Sequence, residues 1–219
     1  MTRAVILLSG GLDSTVMLAE ALSQGRICHA ITFNYGQKHI VELESARKIA
    51  SYYQITQQEI AIDPRLFNNS ALTNFAIHAP INRTLNEITH SIPNTYVPAR
   101  NTLFLAYATA IAEVQQADEI HFGSIANDLH PYPDCRPAYM MAFQNVLNLA
   151  TKQAVVSTPP LLVTPFLSLT KKQIVAKGLK LDVPLNLTWS CYQPSLSKQP
   201  CDKCDACIIR NDALYSQLR

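Results

Sequence analysis

The stretch VILLSGGLDSTVML, from Val5 to Leu18, determines the class of fold. Its first residues are continuously apolar, as in a strand that is buried on both faces of a parallel sheet. Two adjacent glycines and three small polar residues follow, and a helical pattern then runs from Asp13 to Gln24. A strand that passes through a glycine-rich loop into a helix is typical of the first unit of a doubly wound α/β fold.

Strand-like and helical segments continue to alternate along the chain, which predicts a parallel sheet with helices on both faces. We place an α/β domain at residues 1–157 and a helical, cysteine-rich segment at 158–219. The polar stretch from Asp63 to Val97 has no strong period and is predicted to be a long functional loop or a lid. The predicted strands after the first are Cys28–Phe33, Ile55–Ile62 and Glu119–Phe122, and further helices begin near His39, Thr102 and Thr170.

Composition and charge limit the classes of function. The chain has 219 residues, of which 48% are hydrophobic and 16% charged, with a formal net charge of +2. This balance disfavours a dedicated nucleic-acid binder, which usually carries a clustered basic excess. The apolar run before the glycines is too short for a signal peptide, and no apolar stretch approaches the ~20 residues that span a bilayer. We therefore expect a cytoplasmic protein without a membrane or nucleic-acid partner, whose six cysteines are thiols or metal ligands.

The glycine-rich loop is suited to binding phosphate. Gly10 and Gly11 allow backbone N–H groups to converge on an anion, and the following helix adds its positive end. A carboxylate at Asp13 would repel phosphates unless a divalent cation lies between them, so Mg²⁺ is expected. The alternative is structural: Ser9 and Asp13 would only cap the helix.

The loop also has a family resemblance. The chain contains no G-x-x-x-x-G-K-[ST] and no G-x-G-x-x-G motif, whereas SGGLDS resembles the pyrophosphate loop of the ATP pyrophosphatases. Members of that group adenylate a substrate, cleave ATP between its α and β phosphates, and hold pyrophosphate in this loop. The resemblance implies ATP contacts from Leu8, Ser9, Gly10, Gly11, Leu12, Asp13, Ser14 and, after the second strand, Phe33.

A cysteine cluster near the C-terminus predicts a metal centre. Cys191 is followed by Cys201, Cys204 and Cys207, and four thiolates at these spacings suit tetrahedral Zn²⁺. With no open coordination position, one such zinc per chain would be structural. An iron–sulfur cluster is the alternative. Cys28, on a predicted strand, is interpreted as a small core residue.

Five segments, taken together and in order, resemble the 7-cyano-7-deazaguanine synthase family over essentially the whole chain. The segments are SGGLDS, FNYGQKH at Phe33–His39, VPARN at Val97–Asn101, YPDCRP at Tyr132–Pro137 and LTWSCY at Leu187–Tyr192. The family, as the resemblance implies, converts 7-carboxy-7-deazaguanine, ATP and ammonia into a nitrile, preQ0, for queuosine synthesis. It is a carbon–nitrogen ligase reaction that proceeds through adenylated intermediates.

The resemblance also implies roles for single residues. Asp13, Lys38 and Arg100 are the expected catalytic residues, the two cations neutralising developing phosphate charge, although both could be ordinary surface cations. The deazaguanine substrate is expected to contact Asp128, Tyr132, Asp134 and Arg136. Asp134 would accept hydrogen bonds from the guanine-type edge of the ring, and Arg136 would pair with the substrate carboxylate or a phosphate. A purely structural turn at Tyr132–Pro137 is the alternative.

The chain departs from the family pattern at Ser124–Pro131, where only Asp128 keeps an expected acidic position. This leaves open a related deazapurine as substrate. Two alternative functions are a tRNA-thiolating ATP pyrophosphatase and a zinc-ribbon binding module that is not an enzyme. The first would need a basic RNA-binding surface, and the intact SGGLDS loop argues against the second. The sequence does not determine the oligomeric state, and a homodimer remains an option.

Overall fold

A five-stranded parallel sheet forms the centre of the protein, in the order β3-β2-β1-β4-β5. The computed structural model describes residues 1–89, 92–126 and 132–216. Sheet order and helix placement confirm the predicted doubly wound α/β class. The strands are β1 (Arg3–Leu7), β2 (Ile27–Asn34), β3 (Thr56–Ala61), β4 (Glu119–His121) and β5 (Leu161–Val163).

The central strand β1 has a partner on each side. Val5 is in register with His29 of β2 and with Ile120 of β4. β2 and β3 lie on one side of β1, and the chain then crosses over so that β4 and β5 lie on the other side. The strand order therefore reverses beside β1, and in doubly wound sheets ligands bind at the carboxyl ends of the strands at this point.

Two helical layers cover the sheet. On one face α1, α2 and α7 pack through residues such as Leu18, Ile49 and Ile174, and on the other α4 and α5 pack through Leu105 and Phe143. The helices are α1 (Leu12–Ser23), α2 (Val41–Tyr52), α3 (Leu85–Thr89), α4 (Arg100–Gln115), α5 (Pro137–Ala150), α6 (Lys152–Val156), α7 (Lys171–Lys180) and α8 (Asp205–Tyr215). In the described part of the chain, no helix is long and apolar enough to cross a bilayer.

The fifth strand was not predicted from the sequence. β5 has only three residues, close behind two prolines, so it carries no readable period. It nevertheless pairs with β4 and completes the sheet. The proposed division at residue 157 therefore leaves one strand of the central sheet in the segment described as helical. As a domain boundary it remains a prediction, and the C-terminal segment is helical only beyond β5.

The predicted long loop after β3 is packed against the rest of the protein. Phe67 and Leu72 of this segment are buried. Farther along, Ile81 forms an isolated bridge with Cys204, and Arg83 forms an ion pair with Asp205. The segment is therefore attached to the cysteine-rich region through backbone and charged contacts.

The outer face of α5 suggests where a homodimer would form. The helix, PAYMMAFQNVLNLA, has no charged residue. Phe143 and Leu147 bury its inner face, while Met141 and Leu149 on the outer face are 65% and 82% exposed. Large exposed apolar side chains on an uncharged helix face are candidates for contact with another protein surface. A second copy would cover this face without burying any α5 charge, and the homodimer remains a prediction.

We expect a double variant, Met141→Glu with Leu149→Glu, to be monomeric where the wild-type protein is dimeric, because four charges would be buried in a symmetric interface. Light scattering after size-exclusion chromatography measures the mass. Leu196→Glu changes another exposed leucine and serves as the control. A monomeric wild-type protein, or a dimeric double variant, would contradict the prediction.

Candidate active site and metal centre

A cavity of about 560 Å³ lies at the carboxyl ends of β1, β2 and β4. Its walls include Leu8 after β1, Phe33 on β2 and Phe122 after β4. The cavity thus occupies the position beside β1 where the strand order reverses. A volume of this size is within the range of small-molecule sites.

Glycine is required at position 10 by both conformation and space. Gly10 has φ +90°, a left-handed conformation. A Cβ there would lie 2.3 Å from the carbonyl oxygen of Glu42 and 2.7 Å from the amide nitrogen of Ala46. Gly10 therefore packs directly against the first turns of α2. Its own carbonyl accepts a hydrogen bond of 2.9 Å from the N–H of Trp189, in the cysteine-rich segment.

The first turn of α1 is left without a side-chain cap. Its N-cap is Gly11, and no side chain in the described part of the chain caps it. Gly11, and neither Ser9 nor Asp13, is therefore the N-cap residue of α1. Ser9 Oγ instead accepts from the N–H of Gly11 at 3.1 Å and lies 3.1 Å from Ser14 Oγ. Small hydroxyls and N–H groups thus surround the positive end of α1, an arrangement that suits a phosphate.

Asp13 lies on the cavity wall in the first turn of α1. Its Oδ2 accepts a hydrogen bond of 2.6 Å from Lys171 Nζ, whereas Oδ1 is buried and has no partner among the described residues. Lys171 was missed by the sequence analysis. Two successive lysines at the start of a predicted helix were a usable signal, since the positive end of a helix disfavours cations.

Aromatic rings line the end of β2. Phe33 stacks on Phe104 with ring centroids 4.0 Å apart, and both line the cavity. The guanidinium of Arg100 lies 5.6 Å from the ring of Tyr35 and donates to its hydroxyl at 3.3 Å. Burial opposes the Arg100 charge, but Tyr35, Cys135 and Asp134 outweigh it and raise the pKa of Arg100 above the usual arginine value. Arg100 is a permanent cation in the cavity wall.

Asp134 is buried at the cavity wall and supports the start of α4. Its Oδ2 accepts from the backbone N–H of Asn101 at 3.2 Å, and Asn101 Nδ2 reaches Cys135 Sγ at 3.3 Å. One carboxylate oxygen thus already stabilises a helix N-terminus. Tyr132 also lines the cavity, with its hydroxyl 3.3 Å from Thr95 Oγ1.

Other predicted site residues are placed differently. Lys38 Nζ donates to the carbonyl of Ile77 at 2.7 Å, and burial lowers its pKa. Arg136 is exposed and is the N-cap of α5. Neither side chain is among the described residues that line the cavity, so their predicted roles gain no support from the geometry. Asp128 lies outside the described residues.

The buried His39 and the half-buried Glu42 form a pair in the cavity wall that was given no role from the sequence. His39 is 4% exposed, and its Nε2 lies 3.0 Å from Glu42 Oε2. Its ring centroid is 5.9 Å from that of Tyr192. His39 Nδ1 is buried and has no partner within residues 1–89, 92–126 and 132–216.

The four cysteines predicted to bind metal converge. Their sulfur atoms, from Cys191, Cys201, Cys204 and Cys207, all lie within 4.8 Å of one another. The N–H of Cys201 donates to Cys191 Sγ at 3.2 Å, and that of Cys204 to Cys201 Sγ at 3.3 Å. Four thiolates around Zn²⁺ at about 2.3 Å stand roughly 3.8 Å apart. The cluster therefore fits a tetrahedral metal after small adjustments.

The cysteine cluster and the cavity share a wall. Trp189 and Tyr192, which flank Cys191, line the cavity, as do Asp205 and Ala206 between Cys204 and Cys207.

Arg210 on α8 donates to three neutral oxygens: Thr188 Oγ1, Ser190 Oγ and the carbonyl of Leu185. Burial lowers its pKa, and the nearby sulfur of Cys207 partly counters that effect. Its charge offsets part of the negative charge of a metal-bound thiolate cluster.

The doubly wound sheet, with a glycine-rich loop at Ser9–Ser14 opening onto the cavity, is the fold of the PP-loop class. Residues 3–218 match the sequence model of queuosine biosynthesis protein QueC. The chain belongs to this family, which confirms the predicted resemblance.

Curated relatives from different organisms share one name. The 7-cyano-7-deazaguanine synthase of Trichodesmium erythraeum is 44% identical over 209 residues, covering 95% of this chain and 93% of the relative. That of Picrophilus torridus is 49% identical over 210 residues, covering 96% and 86%. Among solved structures, NMN synthetase from Francisella tularensis is similar with a TM-score of 0.50 and 19% identity, covering 92% of this chain and 70% of that one. The last similarity concerns the fold alone.

Proposed function

We propose that the protein converts 7-carboxy-7-deazaguanine, ammonia and ATP into 7-cyano-7-deazaguanine, as an ATP-dependent carbon–nitrogen ligase of queuosine biosynthesis. The observation that carries this proposal is a shared cavity. The loop at Ser9–Ser14, the Tyr132–Cys135 turn and the segment around Cys191 all contribute to its walls. The cavity can therefore hold a nucleotide beside a ring that carries a carboxylate group. Family membership and the names of the relatives support the choice of substrate.

Activation of the carboxylate is the first task. A carboxylate is a poor electrophile, so transfer of AMP to one of its oxygens creates a leaving group, and pyrophosphate departs. The uncapped N–H groups of α1 and the hydroxyls of Ser9 and Ser14 bind the departing pyrophosphate. Arg100 adds a permanent positive charge in the same cavity.

Nitrogen transfer takes two stages. Ammonia displaces AMP from the adenylate and leaves an amide. A second adenylation, now at the amide oxygen, allows that oxygen to depart with AMP, which leaves the nitrile. Two ATP molecules are therefore consumed per nitrile formed, and the same loop binds pyrophosphate twice.

Two metals accompany this proposal. The unpartnered buried Oδ1 of Asp13 fits a Mg²⁺ ligand, and Mg²⁺ bound there would neutralise phosphate charge beside the carboxylate. The four convergent thiolates fit one Zn²⁺, which would hold the cysteine-rich wall in place. Lys171, as the present partner of Asp13, would remain close to the phosphates.

The function is tested by product analysis. Purified protein with ATP and Mg²⁺ is incubated with carboxydeazaguanine and ammonium, and with each omitted in turn. The proposal expects AMP, pyrophosphate and nitrile in a ratio of two to two to one only when all components are present. Substrate-independent AMP release, or a product that retains the carboxylate, would contradict it.

We predict that Asp134→Asn weakens binding of the deazaguanine more than binding of ATP. The asparagine can still accept from the N–H of Asn101, but it presents a donor to the ring N–H and lacks the negative charge that strengthens both ring hydrogen bonds. A loss of about 1–3 kcal/mol corresponds to roughly 5–150-fold in Kd. Calorimetric titration with carboxydeazaguanine, and separately with ATP, measures the difference.

Cys135→Ala serves as the control for this prediction, since it changes the neighbouring residue of the same turn without altering a charge. It should change ring affinity much less than Asp134→Asn does. If ATP affinity falls in Asp134→Asn while deazaguanine affinity is unchanged, Asp134 belongs to the nucleotide or magnesium site.

A further inference from the structure

The proposed reaction has a proton balance that the residues assigned so far do not explain. Ammonia has three N–H bonds, and the nitrogen of a nitrile has none. Three protons must therefore leave one nitrogen atom in each turnover: one when ammonia displaces AMP, and two more as the amide becomes the nitrile. A base within hydrogen-bond reach of that nitrogen would accelerate these steps.

The acidic residues of the cavity are poor candidates for this base. A general base must present a free lone pair to the substrate nitrogen, and a carboxylate held by an ion pair or an N–H is already engaged with that partner. Each aspartate or glutamate of the described cavity wall already has such a partner. The pairs are Asp13 with Lys171, Glu42 with His39, Asp134 with the N–H of Asn101, Asp205 with Arg83, and Asp212 with Lys172.

His39 is a better candidate for the base, and it is the one histidine among the described cavity residues. The Glu42 carboxylate can only accept a hydrogen bond, so at 3.0 Å it holds the proton of neutral His39 on Nε2. The lone pair is then on Nδ1, the buried atom without a partner in the described part of the chain. Packing against Tyr192 and the helical turn that joins His39 to Glu42 hold the ring in place.

We infer that His39 is the general base that accepts protons from the reacting nitrogen, an inference that rests on the proposed function. As ammonia bonds to the carbonyl carbon of the adenylate, an N–H bond breaks, Nδ1 takes the proton, and AMP leaves with the electron pair of its C–O bond. In the second stage, Nδ1 takes one amide proton as the amide oxygen is adenylated and pyrophosphate leaves, which gives a C=N–H group. After releasing that proton, Nδ1 takes the second one while the C–O bond to AMP breaks and C≡N forms. Glu42 stabilises each imidazolium, which returns its proton to water before the next step.

Two half-reactions separate this role from nucleotide binding. Carboxydeazaguanine-dependent exchange of labelled pyrophosphate into ATP reports adenylation, in which no N–H bond breaks. Nitrile formation with ammonia reports the whole sequence. For His39→Asn we expect exchange within about twofold of wild type and nitrile formation lowered about 10²–10⁴-fold. Added imidazole should partly restore nitrile formation in His39→Gly.

The control is His78→Asn, at an exposed histidine that is not among the described cavity residues, and it should match wild type in both assays. Wild-type nitrile formation in His39→Asn would overturn the inference. A parallel loss of exchange and nitrile formation in a folded His39→Asn protein would also overturn it, because His39 would then act on the nucleotide.

If His39→Asn does not fold, Glu42→Gln replaces it. The amide oxygen of the introduced glutamine can still accept from Nε2 but cannot stabilise an imidazolium by charge, so nitrile formation should fall about tenfold or more with exchange unchanged. An unchanged rate would overturn the inference. A wild-type protein that forms no nitrile would instead refute the proposed function, and the inference would fall with it.

Discussion

Replacing Asp13 with alanine is expected to abolish nitrile formation and AMP release, with rates lowered by at least about 10²–10³-fold. Asp13 is in the first turn of α1, and its buried Oδ1 has no partner in the described chain, which fits a cation ligand beside the phosphates. Without the carboxylate, Lys171 loses its ion-pair partner, and the proposed Mg²⁺ would lose a ligand at the glycine-rich loop. Turnover and thermal melting are measured together.

A matched control exists on the same two helices. Glu20 on α1 forms an ion pair with Lys177 on α7, just as Asp13 does with Lys171, but Glu20 is not among the described cavity residues. Glu20→Ala should lower stability by an amount similar to Asp13→Ala, about 1–3 kcal/mol, and keep its activity. Equal activity losses in the two variants would mean that Asp13 acts only by joining α1 to α7.

The second large effect is expected for Cys204→Ser, which should remove the metal and unfold the C-terminal segment first. Structural zinc sites contribute about 10–16 kcal/mol of apparent binding energy in small peptides. Cys204 also forms the bridge to Ile81, and the next residue, Asp205, pairs with Arg83. Losing the metal should therefore loosen the segment after β3 and one wall of the cavity, and substrate-dependent pyrophosphate exchange should fall as well.

Elemental analysis and limited proteolysis test this expectation. The wild-type protein should contain one zinc per chain, and Cys204→Ser should contain less and be cleaved first beyond Leu187. Cys28→Ala removes a buried cysteine that lies outside the cluster and should keep its zinc. Iron in place of zinc, or full zinc content in Cys204→Ser, would contradict the assignment.

The sequence alone determined the class of fold and the two strongest local sites. The apolar run before SGGLDS, the strand–helix alternation and the cysteine spacing are local patterns, so the doubly wound sheet, the glycine-rich loop at its edge and the convergence of four cysteines could be predicted from them. Glycine at position 10 is part of that pattern. The close contact of Gly10 with α2 also requires glycine there, but this requirement depends on packing and could not be predicted from the sequence.

Tertiary structure alone decided which side chains meet across the cavity. Lys171 reaches Asp13 across 158 positions of sequence, and Asp134 reaches the N–H of Asn101 across 33. Lys38, which adjoins His39 in FNYGQKH, faces Ile77 instead of the cavity. Strand β5 could not be predicted from the sequence either, since three residues show no period and only pairing with β4 makes them a strand. Sequence patterns report local conformation and chemistry, whereas the partner of a side chain depends on how distant elements pack.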